Sequence, residues 1–220
     1  MGRRQRLGPA VPDHALSTLL FAIVGYLAGS IPTGYWLVRL LKHEDIRKVG
    51  SGNIGATNVW RTYGAGYGVP VMLADTLKGF VPALLATHYA GPLAGVLAGG
   101  AAMLGHWRPL FMGFARGGKA VATCGGAFLA VAPVVGGIGA LVWVVTFALF
   151  RYASVASIVA ALSLPVVAAL LHEPWPVIAF AALAALAVLV LHRANISRLR
   201  AGTETRFRFR RPPAATRHGA

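Results

Sequence analysis

Long apolar segments alternate with short polar segments along almost the whole chain. Most of the apolar segments approach the roughly 20 residues that a helix needs to cross the hydrocarbon core of a bilayer. We therefore predict an all-α integral membrane protein with about seven transmembrane helices joined by polar loops. The predicted spans cover residues 15–41, 66–89, 92–111, 119–133, 134–150, 154–171 and 175–191.

Six spans are the alternative. Residues 120–150 would then form one long tilted helix, whereas Pro133 followed by Gly136 and Gly137 favours a turn between two spans. The single cysteine, Cys124, lies in an apolar segment and excludes an intramolecular disulfide. The expected organisation is an N-terminal tail (1–14), a membrane domain (15–204) and a basic, disordered C-terminal tail (205–220).

Composition favours a membrane protein over a nucleic-acid-binding one. The chain is 56% hydrophobic and 12% charged, with a mean hydropathy of +0.64, whereas soluble domains carry about 25% charged residues. The net charge of +15 could suggest nucleic acid. However, the basic residues lie in short clusters between apolar segments and after position 192, as do residues that flank membrane spans. We therefore expect membrane lipid, and no nucleic acid, as a partner.

The same basic residues predict the orientation of the chain. The connections 88–92, 133–138 and 171–176 contain no Lys or Arg, while the other connections and the tail do. Because cytoplasmic loops are enriched in Lys and Arg, we expect the polar segments to face the cytoplasm and the N-terminus to lie outside. The arginines at positions 3, 4 and 6 count against the placement of the N-terminus.

The segment "GSGNIGATNVWRTYG" (50–64) has the composition of a phosphate-binding loop. Its glycines allow the backbone to approach a ligand closely, and its arginine offers a guanidinium fork suited to phosphate. It is not a Walker loop, since no Lys-Ser or Lys-Thr follows the glycines. A solvated loop of turn residues is the alternative. The candidate site residues here are Ser51, Gly52, Asn53, Thr57, Asn58 and Arg61.

Three further polar segments supply candidates at the same face. The segment "RGGKAVAT" (116–123) places two glycines and a lysine before an apolar helix, where backbone N–H groups and an ammonium group suit an anion. A helix entry with a snorkelling lysine would look the same. His192 and Asn195 share one helical face at the last membrane exit. The other segment, "FRYASVASI" (150–158), contributes Arg151, Ser154 and Ser157. The candidates in "RGGKAVAT" are Gly117, Gly118 and Lys119.

Asp75 and Lys78 lie three residues apart within the second predicted span. Charged side chains at that depth are unfavourable unless they are paired or face a polar interior. We therefore expect an internal ion pair with a structural role, and direct substrate contact is the alternative.

Five motifs in this order resemble those of the bacterial acyl-phosphate:glycerol-3-phosphate acyltransferases, the PlsY-type membrane acyltransferases. They are "GSIPTGYWLVRL", "DIRKVGSGNIGATNVWRTYG", "GHWRPLF…GGKAVAT", "RYASVASI" and "HRANISRL…GTE". The resemblance implies an enzyme of the bacterial inner (plasma) membrane that transfers a fatty acyl group from acyl phosphate to the sn-1 hydroxyl of glycerol 3-phosphate. The product would be 1-acylglycerol 3-phosphate (lysophosphatidic acid), in the first step of phospholipid synthesis. No cofactor or metal is implied, and a soluble enzyme that supplies acyl phosphate is an implied partner.

The resemblance also implies roles for individual residues. Family positions needed for activity or for glycerol 3-phosphate binding correspond to Ser51, Arg61, Gly117, Gly118, Lys119, His192 and Asn195, and a structural acidic position corresponds to Glu204. The chain departs from the pattern at Ala194, where an acidic residue is expected, and at Ala120, where a glycine is common. The segment "FARGGK" is also one residue longer than usual.

Two alternatives stay open from the sequence. His192 is the obvious protein base, but a substrate phosphate oxygen could equally accept the hydroxyl proton; Ser51 suits hydrogen bonding better than covalent catalysis. A small-molecule transporter is the competing function, because glycine-rich breaks and an intramembrane Asp–Lys pair would suit one. Against it, no inverted repeat is visible and the polar motifs gather on one face.

Overall fold

The computed structural model describes residues 14–207, and this part of the chain forms ten α-helices without a strand. The predicted N-terminal tail up to residue 13 and residues 208–220 of the predicted C-terminal tail lie outside it. Two short 3₁₀ turns, Ile46–Lys48 and Leu110–Met112, lie in the connections. The helices are α1 (His14–Gly29), α2 (Thr33–Lys42), α3 (Ala56–Tyr63), α4 (Ala65–Ala90), α5 (Pro92–Trp107), α6 (Val121–Val131), α7 (Pro133–Phe150), α8 (Ala153–Leu170), α9 (Trp175–Leu191) and α10 (Arg193–Arg200).

Every predicted span contains a helix, and the first contains both α1 and α2. Fewer than seven are long enough to cross a bilayer unaided. Within the described residues, four segments are long and apolar enough, and α9 with α10 would make a fifth that is bent by 57°. Helix α6 has only 11 residues, which rise about 16 Å at 1.5 Å per residue. The four segments are Ala15–Lys42, Ala65–Ala90, Pro133–Phe150 and Ala153–Leu170.

Residues 120–150 form two helices. The single long helix on which the six-span alternative depended is therefore wrong. Helix α6 ends at Val131 and α7 begins at Pro133, where the missing N–H of proline is no loss because first-turn N–H groups have no helical partner. Gly136 lies inside α7 rather than in the turn. A Cβ there would stand 2.6 Å from Leu129 N, so this glycine allows the two helices to pack directly after the break.

Small residues let the helix backbones approach closely. Helix α1 runs parallel to α5, and a Cβ at Gly25 would lie 2.3 Å from Ala98 O, while one at Gly29 would lie 2.1 Å from Ala102 O. A Cβ at Gly79 in α4 would likewise lie 2.0 Å from a backbone oxygen of α6. Such contacts are typical of helices that associate in lipid, where water provides no driving force between them.

Large apolar side chains cover the outside of the bundle. Leu40, Leu170 and Trp175 are each 70% or more exposed, whereas the interior is centred on Phe128, whose ring stacks on Phe180 at a centroid distance of 4.8 Å. An apolar exterior of this extent would be unfavourable in water, and it is what a bundle surrounded by hydrocarbon requires.

The alternation of the helices brings the four polar segments to one end of the bundle. Residues 43–64, 108–120, 151–152 and 192–207 all lie there. The connections at the other end of the described chain, at residue 91, residue 132 and residues 171–174, contain no Lys or Arg. The end that carries the polar segments is called the basic end below.

Candidate active site

The loop before α3 is built around the buried side chain of Asn58. Its Oδ1 accepts a hydrogen bond from Ser51 N at 2.9 Å, and its Nδ2 donates to Val49 O at 3.1 Å and to Asn53 O at 2.9 Å. One amide therefore satisfies three backbone groups and closes the loop. The predicted role of Asn58 was phosphate binding, but in this structure both of its polar atoms are engaged within the loop.

Two glycines of this loop hold backbone conformations that favour glycine. Gly50 has a φ of +60° and Gly52 a φ of +69°, in the left-handed region that side chains disfavour. A Cβ at Gly50 would also lie 2.4 Å from Asn58 Oδ1. The glycines therefore allow the tight path that leaves Ser51 and Gly52 exposed at the tip.

The turn at Gly117 and Gly118 pairs with the end of α5. Gly117 N donates to Trp107 O at 2.9 Å, and Gly118 N donates to His106 O at 3.0 Å. The sequence predicts that these N–H groups bind phosphate, but in the structure both donate to carbonyl oxygens of α5. The glycines are instead required by packing, because a Cβ at Gly117 would lie 2.1 Å from His106 O. Their structural effect is to place the next residue, Lys119.

Lys119 belongs to a hydrogen-bonded network with two residues near the end of the described chain. Its Nζ donates to Asn195 Oδ1, and Asn195 Nδ2 donates to Glu204 Oε1 at 2.7 Å. Ser154 Oγ donates to the same oxygen at 2.8 Å, and Arg198 Nε donates to Glu204 Oε2 at 2.7 Å. Glu204 thus accepts three hydrogen bonds and connects α8, α10 and the Lys119 loop.

Burial and the neighbouring charges set the ionisation of this network. Burial lowers the pKa of Lys119 to about 8, with Glu204 opposing the shift and three arginines adding to it. Burial alone would raise the pKa of Glu204, but the hydrogen bonds from Asn195, Ser154 and Arg198 outweigh it and hold that pKa below its usual value. At neutral pH the network therefore pairs a carboxylate with a lysine that is still largely charged.

A cavity of about 140 Å³ opens beside Lys119 at the basic end. It has room for several water molecules or a small phosphate ester. Three cationic side chains contribute to its wall: Arg116 and Lys119 from the loop between α5 and α6, and Arg198 from α10. The complete lining is Ser51, Gly52, Asn53, Arg116, Gly117, Lys119, Ala194, Asn195 and Arg198.

Arg61 and His192, two of the predicted catalytic residues, lie outside this lining. Arg61 Nη2 donates to Thr205 O at 2.9 Å, while its buried Nε has no acceptor within the described residues. His192 is buried, and its Nδ1 lies 2.8 Å from Val188 O. Because a carbonyl only accepts, Nδ1 carries a proton, and Nε2 holds the lone pair when the ring is neutral.

The residues predicted around "RYASVASI" do not line the cavity either. Ser154 donates to Glu204, as above, and Ser157 Oγ donates to Ala153 O at 2.7 Å while accepting from Trp143 Nε1 at 3.1 Å. Arg151 ends α7 with a φ of +59°. Thr57 is half-buried in the first turn of α3 and also lies outside the lining. The two serine hydroxyls are thus engaged inside the protein, which differs from their predicted phosphate contacts.

Two arginines of the cavity wall were missed as site residues. Arg198 lies three residues after Asn195 on α10, so the helical spacing that linked His192 to Asn195 also indicated Arg198. Arg116 immediately precedes the Gly117–Gly118 turn, and this position beside two predicted site residues was the signal for it.

Comparison with known proteins assigns the family. Residues 19–202 match the family model described as glycerol-3-phosphate acyltransferase. The chain belongs to the glycerol-3-phosphate acyltransferase family. It is 46% identical over 197 residues to the glycerol-3-phosphate acyltransferase of Desulforudis audaxviator, covering 90% of this chain and 99% of that one. The corresponding protein of Mesorhizobium japonicum is 45% identical over 186 residues, covering 84% and 94%.

Two solved structures of PlsY (YgiH), an integral membrane glycerol 3-phosphate acyltransferase, share this fold. The glycerol 3-phosphate form has a TM-score of 0.84 and 43% identity, covering 87% of this chain and 96% of that one. The lysophosphatidic acid form has a TM-score of 0.81 and 42% identity, covering 88% and 96%. Membership of the acyltransferase family confirms the predicted resemblance, the all-α integral membrane class and the enzyme class.

Proposed function

We propose that the protein transfers a fatty acyl group from acyl phosphate to the sn-1 hydroxyl of glycerol 3-phosphate. The main support for this proposal is the cavity lined by Lys119, Arg116 and Arg198. Asn195 and Ser51 lie beside these cations in the same lining. Phosphate esters are bound by such clusters of cations. The relatives named glycerol-3-phosphate acyltransferase and the PlsY structures in glycerol 3-phosphate and lysophosphatidic acid forms support the same acceptor and product.

Lys119 and Asn195 are proposed to hold the phosphate of the acceptor. The Lys119 ammonium is directed by Asn195 Oδ1, and a bound phosphate would complete its coordination. The Ser51 hydroxyl lines the cavity and makes no hydrogen bond within the described residues, so it is available to orient the acceptor or the carbonyl oxygen. Correct orientation alone can lower the barrier by about 7 kcal/mol.

A second cavity favours acyl phosphate as the donor. It measures about 120 Å³ and shares Arg116 with the first. Arg108 and Arg193 give it positive charge, while Trp107, Val190 and Leu191 give it an apolar side. A phosphate head with an acyl chain attached needs both. Two adjacent sites for phosphate are what a reaction between two phosphorylated substrates requires.

The chemistry needs no strong general acid, because acyl phosphate is a mixed anhydride with phosphate as a good leaving group. The hydroxyl oxygen forms the ester bond to the carbonyl carbon, and the carbon–oxygen bond to phosphate breaks, with the electron pair leaving on phosphate. The hydroxyl proton goes to His192 Nε2 or to a phosphate oxygen. The Nδ1–H bond of His192 to Val188 O leaves Nε2 as the acceptor atom of that ring.

The site is proposed to face the cytoplasm from the bacterial inner membrane. The basic end carries the Lys and Arg of the loops, which is the distribution of cytoplasmic loops. A soluble enzyme that makes acyl phosphate could then deliver it at the same side. Single cysteines in a Cys124→Ala background test this: Ala194→Cys should react with an impermeant thiol reagent only from the cytoplasm, and Glu173→Cys only from outside.

The function is tested with purified protein in detergent, labelled glycerol 3-phosphate, a chelator, and either palmitoyl phosphate or palmitoyl-CoA. We expect labelled lysophosphatidic acid from palmitoyl phosphate alone, and a strong loss in Lys119→Ala that still elutes as a folded protein. Product from palmitoyl-CoA alone would contradict the donor. Absence of product from both, with folded protein, would contradict the reaction and favour a transporter.

A further inference from the structure

A buried polar cluster lies behind the Gly117–Gly118 turn. Asp75 and Lys78 on α4 and His106 on α5 are 3%, 8% and 5% exposed. Lys78 Nζ lies 2.8 Å from Asp75 Oδ1 and donates to Ile31 O at 3.0 Å, in the break between α1 and α2. His106 Nδ1 lies 3.8 Å from the same carboxylate oxygen. The cluster therefore joins α4, α5 and the α1–α2 break.

Stability alone does not account for this cluster. Desolvation of two buried charges offsets most of their attraction, so a buried ion pair contributes little net stability compared with apolar packing. Within the described residues, His106 Nδ1 makes no hydrogen bond, and the buried hydroxyls of Ser30 and Thr123 make none either. A buried ion pair that adds little net stability can instead serve to fix the position of the elements it joins.

His106 connects the cluster to the cavity through two contacts with Gly118. Its carbonyl oxygen accepts the 3.0 Å hydrogen bond from Gly118 N. Its ring lies against the same residue, because a Cβ at Gly118 would stand 1.9 Å from His106 Nε2. The residue that follows is Lys119, whose ammonium reaches Asn195.

We propose that His106, backed by the buried Asp75–Lys78 pair, is a positioning residue that holds the Gly117–Gly118 turn against α5 and so places the Lys119 ammonium in the cavity. This inference rests on the proposed function, in which Lys119 binds the phosphate of glycerol 3-phosphate. His106 lines neither of the two cavities. Its effect falls mainly on the acceptor subsite, because the donor cavity shares only Arg116 with that subsite and is otherwise lined by residues such as Val190 and Leu191 on α9.

The first test is the His106→Ala variant of the full chain. We expect the KM for glycerol 3-phosphate to rise about tenfold or more, because small displacements of a binding group are known to have large effects. The KM for palmitoyl phosphate should stay within about twofold of the original value. His106→Gln, which keeps a polar side chain beside Gly118, should restore the KM for glycerol 3-phosphate to within about threefold.

Val177→Ala is the control for general destabilisation. Val177 is 1% exposed in the core around α9, so its truncation should lower the melting temperature and leave both KM values unchanged. The inference is overturned if His106→Ala behaves like this control, or if it raises both KM values together.

Gly118→Ala tests the same contact without removing the buried ring. We expect a rise in the KM for glycerol 3-phosphate of about tenfold, because the added methyl must displace the ring or the turn. Gly125→Ala on α6 is the matched control, since a Cβ there would meet nothing within 4 Å. A normal KM in Gly118→Ala would overturn the inference even if His106→Ala does not fold.

The proposed function and the inference fail in different ways. An original protein that forms no lysophosphatidic acid contradicts the function. An active original protein whose Lys119→Ala variant loses glycerol 3-phosphate affinity, while the His106 and Gly118 variants keep it, contradicts only the positioning role.

Discussion

Asn195 and Glu204 are joined by a 2.7 Å hydrogen bond from the side-chain amide to the carboxylate. The bond determines which way the amide points, because only its nitrogen can donate. Asn195 Oδ1 is consequently turned toward Lys119. Glu204, which does not line the cavity, thus sets the orientation of a residue that does.

Glu204→Ala should unfold more easily and lose activity. Ser154 and Asn195 are both buried, and each would lose its acceptor, at about 1–3 kcal/mol per unsatisfied donor. We expect the free energy of unfolding to fall by about 2–6 kcal/mol and the melting temperature in detergent to fall with it. Glu173→Ala, at the other end of the bundle, is the control. Equal melting temperatures for the two variants would contradict the structural role.

The pKa of Lys119 predicts an alkaline limit for acceptor binding. Its amine is charged below a pKa of about 8 and neutral above it, while the phosphate of the acceptor is a dianion above about pH 6. The attraction is therefore present between these values and is lost as pH rises through about 8. We expect kcat/KM for glycerol 3-phosphate to fall above about pH 8, by up to about tenfold per unit.

Lys119→Arg provides the control for this pH dependence. A guanidinium stays charged to beyond pH 12, as its pKa exceeds about 12. The alkaline fall should therefore disappear or move upward in this variant, although its kcat/KM at pH 7 is lower. An unchanged alkaline fall would assign it to a different group.

Asn58→Asp should disable the first loop while the helices remain folded. The new carboxylate cannot donate to Val49 O and Asn53 O, and its charge would face these two carbonyl oxygens. We expect kcat/KM to fall about 100-fold, since the loop geometry that places Ser51 is lost. Thr62→Val, which removes only a hydrogen bond to Asn58 O within α3, should stay within about twofold of the original. Circular dichroism checks the helix content of both.

Arg61→Ala should abolish turnover and leave the protein folded. The guanidinium of Arg61, on α3, donates a hydrogen bond to Thr205 O. Its buried Nε has no hydrogen-bond acceptor within the described residues. A group in this state is suited to a substrate oxygen, and hydrogen bonds from charged donors are worth about 1.5–3 kcal/mol. Arg61→Lys should recover little, because an ammonium cannot replace the fork. Near-normal turnover of Arg61→Ala would contradict a catalytic role for Arg61, which lies outside the lining of both cavities.

Much of the fold could be predicted because it depends on local composition. Seven apolar segments were enough to locate the long helices, and Pro133 was enough to locate the α6–α7 break. The break between α1 and α2 and the short helix α3 were not predicted. The short length of α6 was not predictable, since the apolar character of residues 119–133 says nothing about where a helix begins. That depends on Gly117 and Gly118, whose N–H groups bond to α5 instead of starting α6.

The site could be predicted for residues whose position depends only on the sequence motif in which they lie. Ser51, Lys119 and Asn195 lie in the cavity wall, as the motifs indicated. The part played by His106 was not visible, because its contacts with Asp75 and Gly118 join positions that are distant in sequence. The serines at 154 and 157 were assigned to phosphate for the same reason: their partners, Glu204 and Trp143, are brought near only by the fold.

The last described residues bear on how the protein can be shortened or fused. Phe207 is 4% exposed and donates its N–H to Arg151 O at 2.7 Å, while Thr205 O holds Arg61. A chain truncated after Glu204 would thus lose these hydrogen bonds, which connect α3 and the end of α7 through residues 205–207. Affinity tags and reporter domains are therefore better attached beyond Phe207, where the fusion leaves the hydrogen bonds of Thr205 O and Phe207 N intact.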